Sequence, residues 1–192
     1  MKAIYTILIS GLFIFTCQPA TAEKIIKDTD RGYAFDGRNF VVSIGSGFFG
    51  YSYGFGKLGG APLMISAEYG IHRYVGAGIY GGLLDRNPHI GETKYDMTIY
   101  TVGVKAQFHM YNLLDDIVKK NLRGDIIDVY GIFYLGMDHY ATNMSLRNKQ
   151  TYYISGGIGI RAYPFKKAPG LGVYSEFSPV LTPWQLGLNY RF

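Results

Sequence analysis

Apolar and polar residues alternate along eight stretches of the chain, and the alternation is most regular in the final stretch, Trp184 to Phe192. Successive side chains of an extended strand point to opposite faces, so each stretch predicts a β-strand with one apolar and one polar face. The predicted strands cover about 39–49, 62–72, 74–84, 97–109, 126–138, 151–163, 171–177 and 183–192. Most of them match the roughly 9 to 11 residues of a tilted membrane strand.

The two faces of these strands differ in what they carry. One face collects Val, Ile, Leu and Phe without a charged residue, whereas the other collects Gly, Tyr and six isolated charges. The charged residues are Glu68, Lys105, Asp128, Arg161, Glu176 and Arg191. Acidic and basic residues are equal in number here, and buried charges need such a balance because an unpaired one costs about 3 to 5 kcal/mol. Glycine beside a large ring also suits the crowded interior of a narrow barrel.

We therefore predict an all-β fold: a closed, eight-stranded, antiparallel, up-and-down transmembrane β-barrel. Its polar face would form a charge network in a packed lumen, and its apolar face would contact lipid. In one alternative, a soluble ligand-binding barrel, the apolar face would turn inward; in another, a narrow pore, the charges would line a permeation path. An even number of strands places both ends in the periplasm. The predicted extracellular connections are then 50–61, 85–96, 139–150 and 178–182.

The beginning of the chain has the pattern of an export signal. Lys2 precedes an apolar run from Ile4 to Phe15, and small residues at 20 and 22 predict a cleavage site. The run is too short for a transmembrane helix. Cleavage would remove Cys17, the single cysteine; lipidation of Cys17 is the alternative, but the small residue expected before a lipidated cysteine is absent. The predicted divisions are a signal peptide at 1–22, a periplasmic lead-in or plug at 23–36 and the barrel at 37–192.

Composition narrows the choice of partners. The chain contains 26 Gly, 18 Tyr and 12 Phe, and only 17% of its residues are charged. Its formal net charge is +5, without a basic cluster larger than Lys119-Lys120 or Lys166-Lys167. We therefore predict outer-membrane lipid and lipopolysaccharide as neighbours and no nucleic-acid partner. No motif predicts a cofactor.

These features together resemble the small outer-membrane barrels of the OmpA/OmpX-like class. The resemblance covers roughly residues 37–192 and depends on the cleavage pattern, the eight alternating runs and the terminal strand with its outward aromatics. It implies the outer membrane of a Gram-negative-type bacterium as the location. It also implies an assembly signal, read by the barrel-assembly machinery, in Trp184, Tyr190 and Phe192.

The segment from Tyr111 to Asp125 is too long for a periplasmic turn and predicts a short helix. Asn112 would cap its start and Gly124 would close its end, with acidic residues in the first turn and basic residues in the last. Its predicted apolar face comprises Leu114, Ile117, Val118 and Leu122. Two interpretations stay open: the helix packs on the barrel rim or closes its base, or it binds the inner leaflet or a periplasmic partner.

Candidate catalytic groups occur in the outer connections. His139 follows Asp138, and Ser145 lies nearby in the sequence, so the residue types needed for ester hydrolysis are present. Lipid A deacylases are eight-stranded barrels that resemble this layout, but they carry histidine and serine two residues apart, a spacing that His139 lacks. His89 and Asp85 would add metal-ligand types without a diagnostic spacing. We therefore predict no catalytic or metal site, and a non-enzymatic structural or interaction role through the extracellular loops and the periplasmic helix. A lipid-modifying barrel enzyme of the outer leaflet, similar to a lipid A acyl hydrolase, is the alternative.

Overall fold

The computed structural model describes residues 34–47, 57–58, 60–87, 89–90, 93–94, 96–118, 126–142 and 149–192. The predicted signal peptide and most of the predicted lead-in lie outside the described residues. The strands are β1 (Phe40–Gly47), β2 (Lys57–Leu58), β3 (Leu63–His72), β4 (Val75–Asn87), β5 (His89–Ile90), β6 (Thr93–Lys94), β7 (Met97–His109), β8 (Ile127–Thr142), β9 (Lys149–Ala162), β10 (Leu171–Phe177) and β11 (Trp184–Arg191). A short helix, α1 (Met110–Val118), follows β7 directly.

The longer strands form one closed antiparallel ring. Its order is β4, β3, β1, β11, β10, β9, β8 and β7, and β7 pairs again with β4. Each of these eight strands therefore has a neighbour on both sides, so the ring has no open sheet edge. The predicted all-β, eight-stranded, up-and-down barrel with one short helix is confirmed.

The ends of the strands differ from the prediction at the outer side. β4 continues to Asn87, β8 continues to Thr142 and β9 begins at Lys149, so the predicted connections 85–96 and 139–150 are wrong at their edges. In these extensions the apolar and polar alternation is weak. The backbone ladder continues nevertheless, because hydrogen bonding between strands does not require one apolar face.

The start of α1 also differs from the prediction. The helix begins at Met110, and Asn112 is fully buried inside its first turn rather than capping its start. The Asn112 amide donates to the carbonyl oxygens of Phe35 at 2.8 Å and Arg73 at 2.7 Å. These two tertiary hydrogen bonds replace the local cap that the sequence suggested. No helix in the described part of the chain is long and apolar enough to cross a bilayer.

Candidate functional site

The outer face of the barrel is apolar and the inner face is polar. Ile79, Val104 and Leu188 are at least half exposed, whereas Glu68 and Lys105 keep 3% or less of their surface accessible. In the structure the apolar side chains of these strands thus point outward and the charged ones inward. A soluble barrel with an apolar cavity is therefore wrong for this chain, and the arrangement is that of a transmembrane barrel.

A salt-bridge cluster occupies the lumen around Glu68. Its carboxylate accepts from the Lys105 ammonium through one oxygen and from the Arg161 guanidinium at 2.6 Å through the other. Lys105 also donates to Ser66 Oγ at 2.9 Å, and Arg161 donates to Gln107 Oε1 at 3.1 Å. One carboxylate thus compensates two cations, and neutral oxygens accept part of their remaining hydrogen bonds.

Glu176 joins this cluster through aromatic side chains. Its carboxylate accepts from the hydroxyls of Tyr130 at 3.0 Å and Tyr134 at 2.8 Å. The guanidinium of Arg161 lies 4.3 Å from the centre of the Tyr130 ring. Tyr130 therefore lies between the second carboxylate and the second cation, and its ring face attracts the guanidinium.

The two other predicted charges lie nearer the periplasmic end. Asp128 pairs with His109, whose Nδ1 lies 2.9 Å from the carboxylate, and both side chains are fully buried. Arg191 donates to the carbonyl oxygens of Ala34 at 2.7 Å and Pro169 at 3.3 Å. The structure thus brings four of the six predicted residues into one linked cluster, pairs Asp128 with His109 and places Arg191 at the base.

His109 is a lumen residue that the balance of charges along the strands does not identify. It follows Lys105 and Gln107 at intervals of two along β7, so the alternation of that strand already predicts that it points inward. All three side chains are buried. Histidine has no formal charge at pH 7, so a balance between acidic and basic residues does not include His109.

The last residues of the predicted lead-in are part of the barrel. Residues 34–36, the inner stopper, enter its periplasmic end, where Ala34 and Phe35 are fully buried. The Phe35 ring stacks on His109 with 3.5 Å between ring centres. Gly76 leaves room for this ring, since an added Cβ there would lie 2.9 Å from Phe35. The last three residues of the predicted lead-in or plug therefore lie inside the barrel base.

The short connection between β10 and β11 lies at the opposite end of the barrel. Residues 178–183, the outer stopper, turn inward, and Val180 is buried in a cluster that includes Met64, Tyr80 and Tyr134. Gln185 Nε2 donates to the Val180 carbonyl oxygen at 3.0 Å. The predicted extracellular connection 178–182 therefore packs its Val180 side chain into the outer end of the lumen.

The outer histidine, His139, lies within β8 and pairs with Tyr100 of β7 and Gln150 of β9. Asp138 beside it accepts from the Tyr140 hydroxyl at 3.5 Å. Ser145, the nucleophile of the hydrolase-type set, lies outside the described residues. Among the side chains that the structure does describe, no group of three or more His, Cys, Asp or Glu residues is placed to hold a metal ion.

The terminal aromatics lie on the outer face at both ends of β11. Phe192 contacts Tyr190 with 4.7 Å between ring centres and Phe40 with 5.9 Å. Trp184 lies at the other end of the strand, where its indole N–H donates to Ser175 Oγ at 2.7 Å. The predicted assembly residues therefore share one face but divide between the periplasmic and outer rims.

The apolar face predicted for the helix is exposed on α1. Leu114, Ile117 and Val118 keep 46% to 67% of their surface accessible. Leu122 lies outside the described residues. On the other side of α1, Asp116 accepts from the Arg73 guanidinium and the Tyr74 hydroxyl.

Comparison with known proteins supports the architecture. No protein-family model matches the chain, and no curated protein matches it. The outer membrane protein OprG of Pseudomonas aeruginosa is similar, with a TM-score of 0.52 and 10% identity over 84% of this chain and 99% of that chain. Ail, the attachment invasion locus protein of Yersinia pestis, has a TM-score of 0.47 and 16% identity over 82% of this chain and 100% of that chain. The N-terminal β-barrel domain of Pseudomonas aeruginosa OprF has a TM-score of 0.46 and 12% identity over 82% of this chain and 98% of that chain. The OprG alignment confirms, at the level of the fold, the predicted likeness to the small eight-stranded outer-membrane barrels.

Proposed function

We propose that this protein is a non-enzymatic barrel of a Gram-negative-type outer membrane that acts through its surfaces and not through its lumen. The observation that supports the proposal is the burial of Phe35 at the base and of Val180 at the outer end, with the Glu68 cluster between them. A lumen filled by side chains leaves the outer connections, the lipid-facing belt and α1 for contact with other molecules.

The partners of this proposal follow from those surfaces. The apolar belt meets membrane lipid, and the outer connections meet lipopolysaccharide. The barrel-assembly machinery recognises Trp184, Tyr190 and Phe192, whose side chains point outward at the two ends of the last strand. On the periplasmic side, α1 contacts either the inner leaflet of the outer membrane or a periplasmic partner.

Electrophoresis in SDS and single-channel recording test the membrane barrel and its closed lumen separately. The washed outer-membrane fraction should contain a form that migrates differently before and after boiling, because a closed ring pairs all its strands and resists SDS until heated. In planar bilayers the wild-type protein should give no steady conductance. A Phe35→Ala, Val180→Gly variant, from which both stoppers are trimmed, is the matched control. Wild-type channels as large as those of the trimmed variant would contradict the closed lumen.

Mass spectrometry of lipid A tests the non-enzymatic assignment. Lipid A from cells with and without the protein should show the same acyl chains. Loss of an acyl chain that depends on His139 would contradict the proposal and favour the lipid A hydrolase.

A further inference from the structure

Two polar residues one turn apart attach α1 to the barrel. Asn112 donates to the carbonyl oxygens of Phe35 and Arg73, and Asp116 accepts from Arg73 and Tyr74 in the turn between β3 and β4. Residues four apart lie on the same face of a helix. Since Phe35 lies inside the barrel base, this attached face is turned toward the barrel axis.

The opposite face of α1 is apolar and exposed. Leu114, Ile117 and Val118 keep 49%, 67% and 46% of their surface accessible. With 3.6 residues per turn they lie on the side away from Asn112 and Asp116. This face is therefore turned away from the barrel axis. Water is an unfavourable neighbour for three adjacent aliphatic side chains.

The barrel surface beside α1 indicates what covers this face. Phe108 lies just before the helix and pairs with Val75 of β4, and both side chains are exposed on the outer face of the barrel. Ile71, at the same end of β3, is 64% exposed. The apolar face of α1 thus continues the apolar belt at its periplasmic edge. The lipid that contacts the belt is therefore also the expected neighbour of this face.

We propose that α1 docks on the phospholipid leaflet that faces the periplasm and inserts Leu114, Ile117 and Val118 at the boundary of head groups and acyl chains. The inference rests on the membrane-spanning barrel of the proposed function. Amphipathic helices bind such a boundary through an apolar face and nearby basic residues. In the sequence Val118 is followed by Lys119 and Lys120, and basic residues suit anionic head groups.

A nitroxide label at single cysteines measures this contact. Ile117→Cys and Leu114→Cys are made in a Cys17→Ser background, and each protein is folded into vesicles of phosphatidylethanolamine and phosphatidylglycerol. Relaxation by oxygen, which concentrates in lipid, is compared with relaxation by a water-soluble nickel chelate. Val104→Cys in the belt is the lipid control, and Lys166→Cys in the exposed turn after β9 is the water control.

The expected result is that the two helix labels respond more to oxygen than to nickel, at a depth shallower than the Val104 label. Helix labels that respond like the Lys166 label would overturn the inference. Helix labels that neither reagent reaches would also overturn it, because they would indicate burial against protein. A Val104 label that nickel reaches would instead overturn the membrane barrel of the proposed function, so the two failures are distinct. The shift on boiling in SDS confirms for each variant that the barrel has folded.

Discussion

Val104 and Lys105 are neighbours on β7, yet their surroundings are opposite. Val104 is 52% exposed on the outer face, whereas Lys105 is buried in the lumen, where Glu68 and Ser66 accept from its ammonium. The outer face requires only that a side chain be apolar, because lipid adapts to its shape. The inner face requires a specific partner at a specific distance, because no solvent replaces a lost contact. Tolerance to substitution should therefore alternate along each strand, as the side chains do.

The largest expected effect is removal of the shared carboxylate. Glu68→Ala leaves Lys105 and Arg161 buried without an anion between them and should lower the free energy of unfolding by about 3 to 5 kcal/mol. Urea unfolding of the detergent-folded barrel measures the loss. Glu68→Gln is the control of matched shape and should lose less, since its oxygen still accepts a hydrogen bond. A wild-type midpoint for Glu68→Ala would show that the lumen is hydrated.

A charge on the outer face should rank next. Val104→Lys places an ammonium in the middle of the lipid-facing belt and should cost about 2 to 4 kcal/mol. Folding yield in vesicles measures this cost. Val104→Leu is the control and should fold as the wild type does. Equal yields of the lysine and leucine variants would mean that this face is not in lipid.

Two glycines of β8 test the difference between the inner and the outer face with a single added methyl group. An added Cβ at Gly136 would meet the hydroxyls of Tyr80 and Tyr153, whereas one at Gly131 would meet nothing within 4 Å. Gly136→Ala should therefore destabilise the barrel by about 1 to 3 kcal/mol. Gly131→Ala should be neutral in the same thermal unfolding measurement. A reversed order of the two variants would contradict the placement of β8 faces.

The smallest effect should come from one hydroxyl. Tyr153 places its hydroxyl 2.6 Å from both Thr101 Oγ1 and the Tyr80 hydroxyl. Tyr153→Phe should cost about 0.5 to 1.5 kcal/mol because it removes a bridged pair of hydrogen bonds. Tyr152→Phe, at the adjacent and 76% exposed position, is the matched control and should change the unfolding midpoint less.

The sequence pattern predicts the wall of the barrel better than its ends. Alternation along β7 and β11 assigns each side chain to a face, because a period of two is imposed by the backbone itself. Charge balance then selects the inner face. Both arguments are local and need no knowledge of which strands meet.

Neither alternation nor charge balance predicts the two stoppers or the attachment of α1 to the barrel. Phe35 and Val180 lie in segments without alternation, and nothing local distinguishes an aromatic or aliphatic residue that enters the lumen from one that meets lipid. Asn112 has the residue type of a helix cap but binds Phe35, far away in the sequence. Such contacts depend on the completed barrel and become predictable only after the ring is known.

The pairing of β1 with β11 has a consequence for how the protein is made. Val41 pairs with Arg191, and the Phe192 amide donates to the Phe40 carbonyl oxygen at 2.8 Å, so the seam joins the two ends of the barrel sequence. Pairings between residues so distant in sequence form late and slowly, because the chain between them must first be ordered. Until the last strand arrives, the first strand keeps an unpaired edge that can pair with another chain. Assembly of the barrel therefore has an interval in which the first strand is exposed to other chains, and this interval ends when β11 pairs with β1.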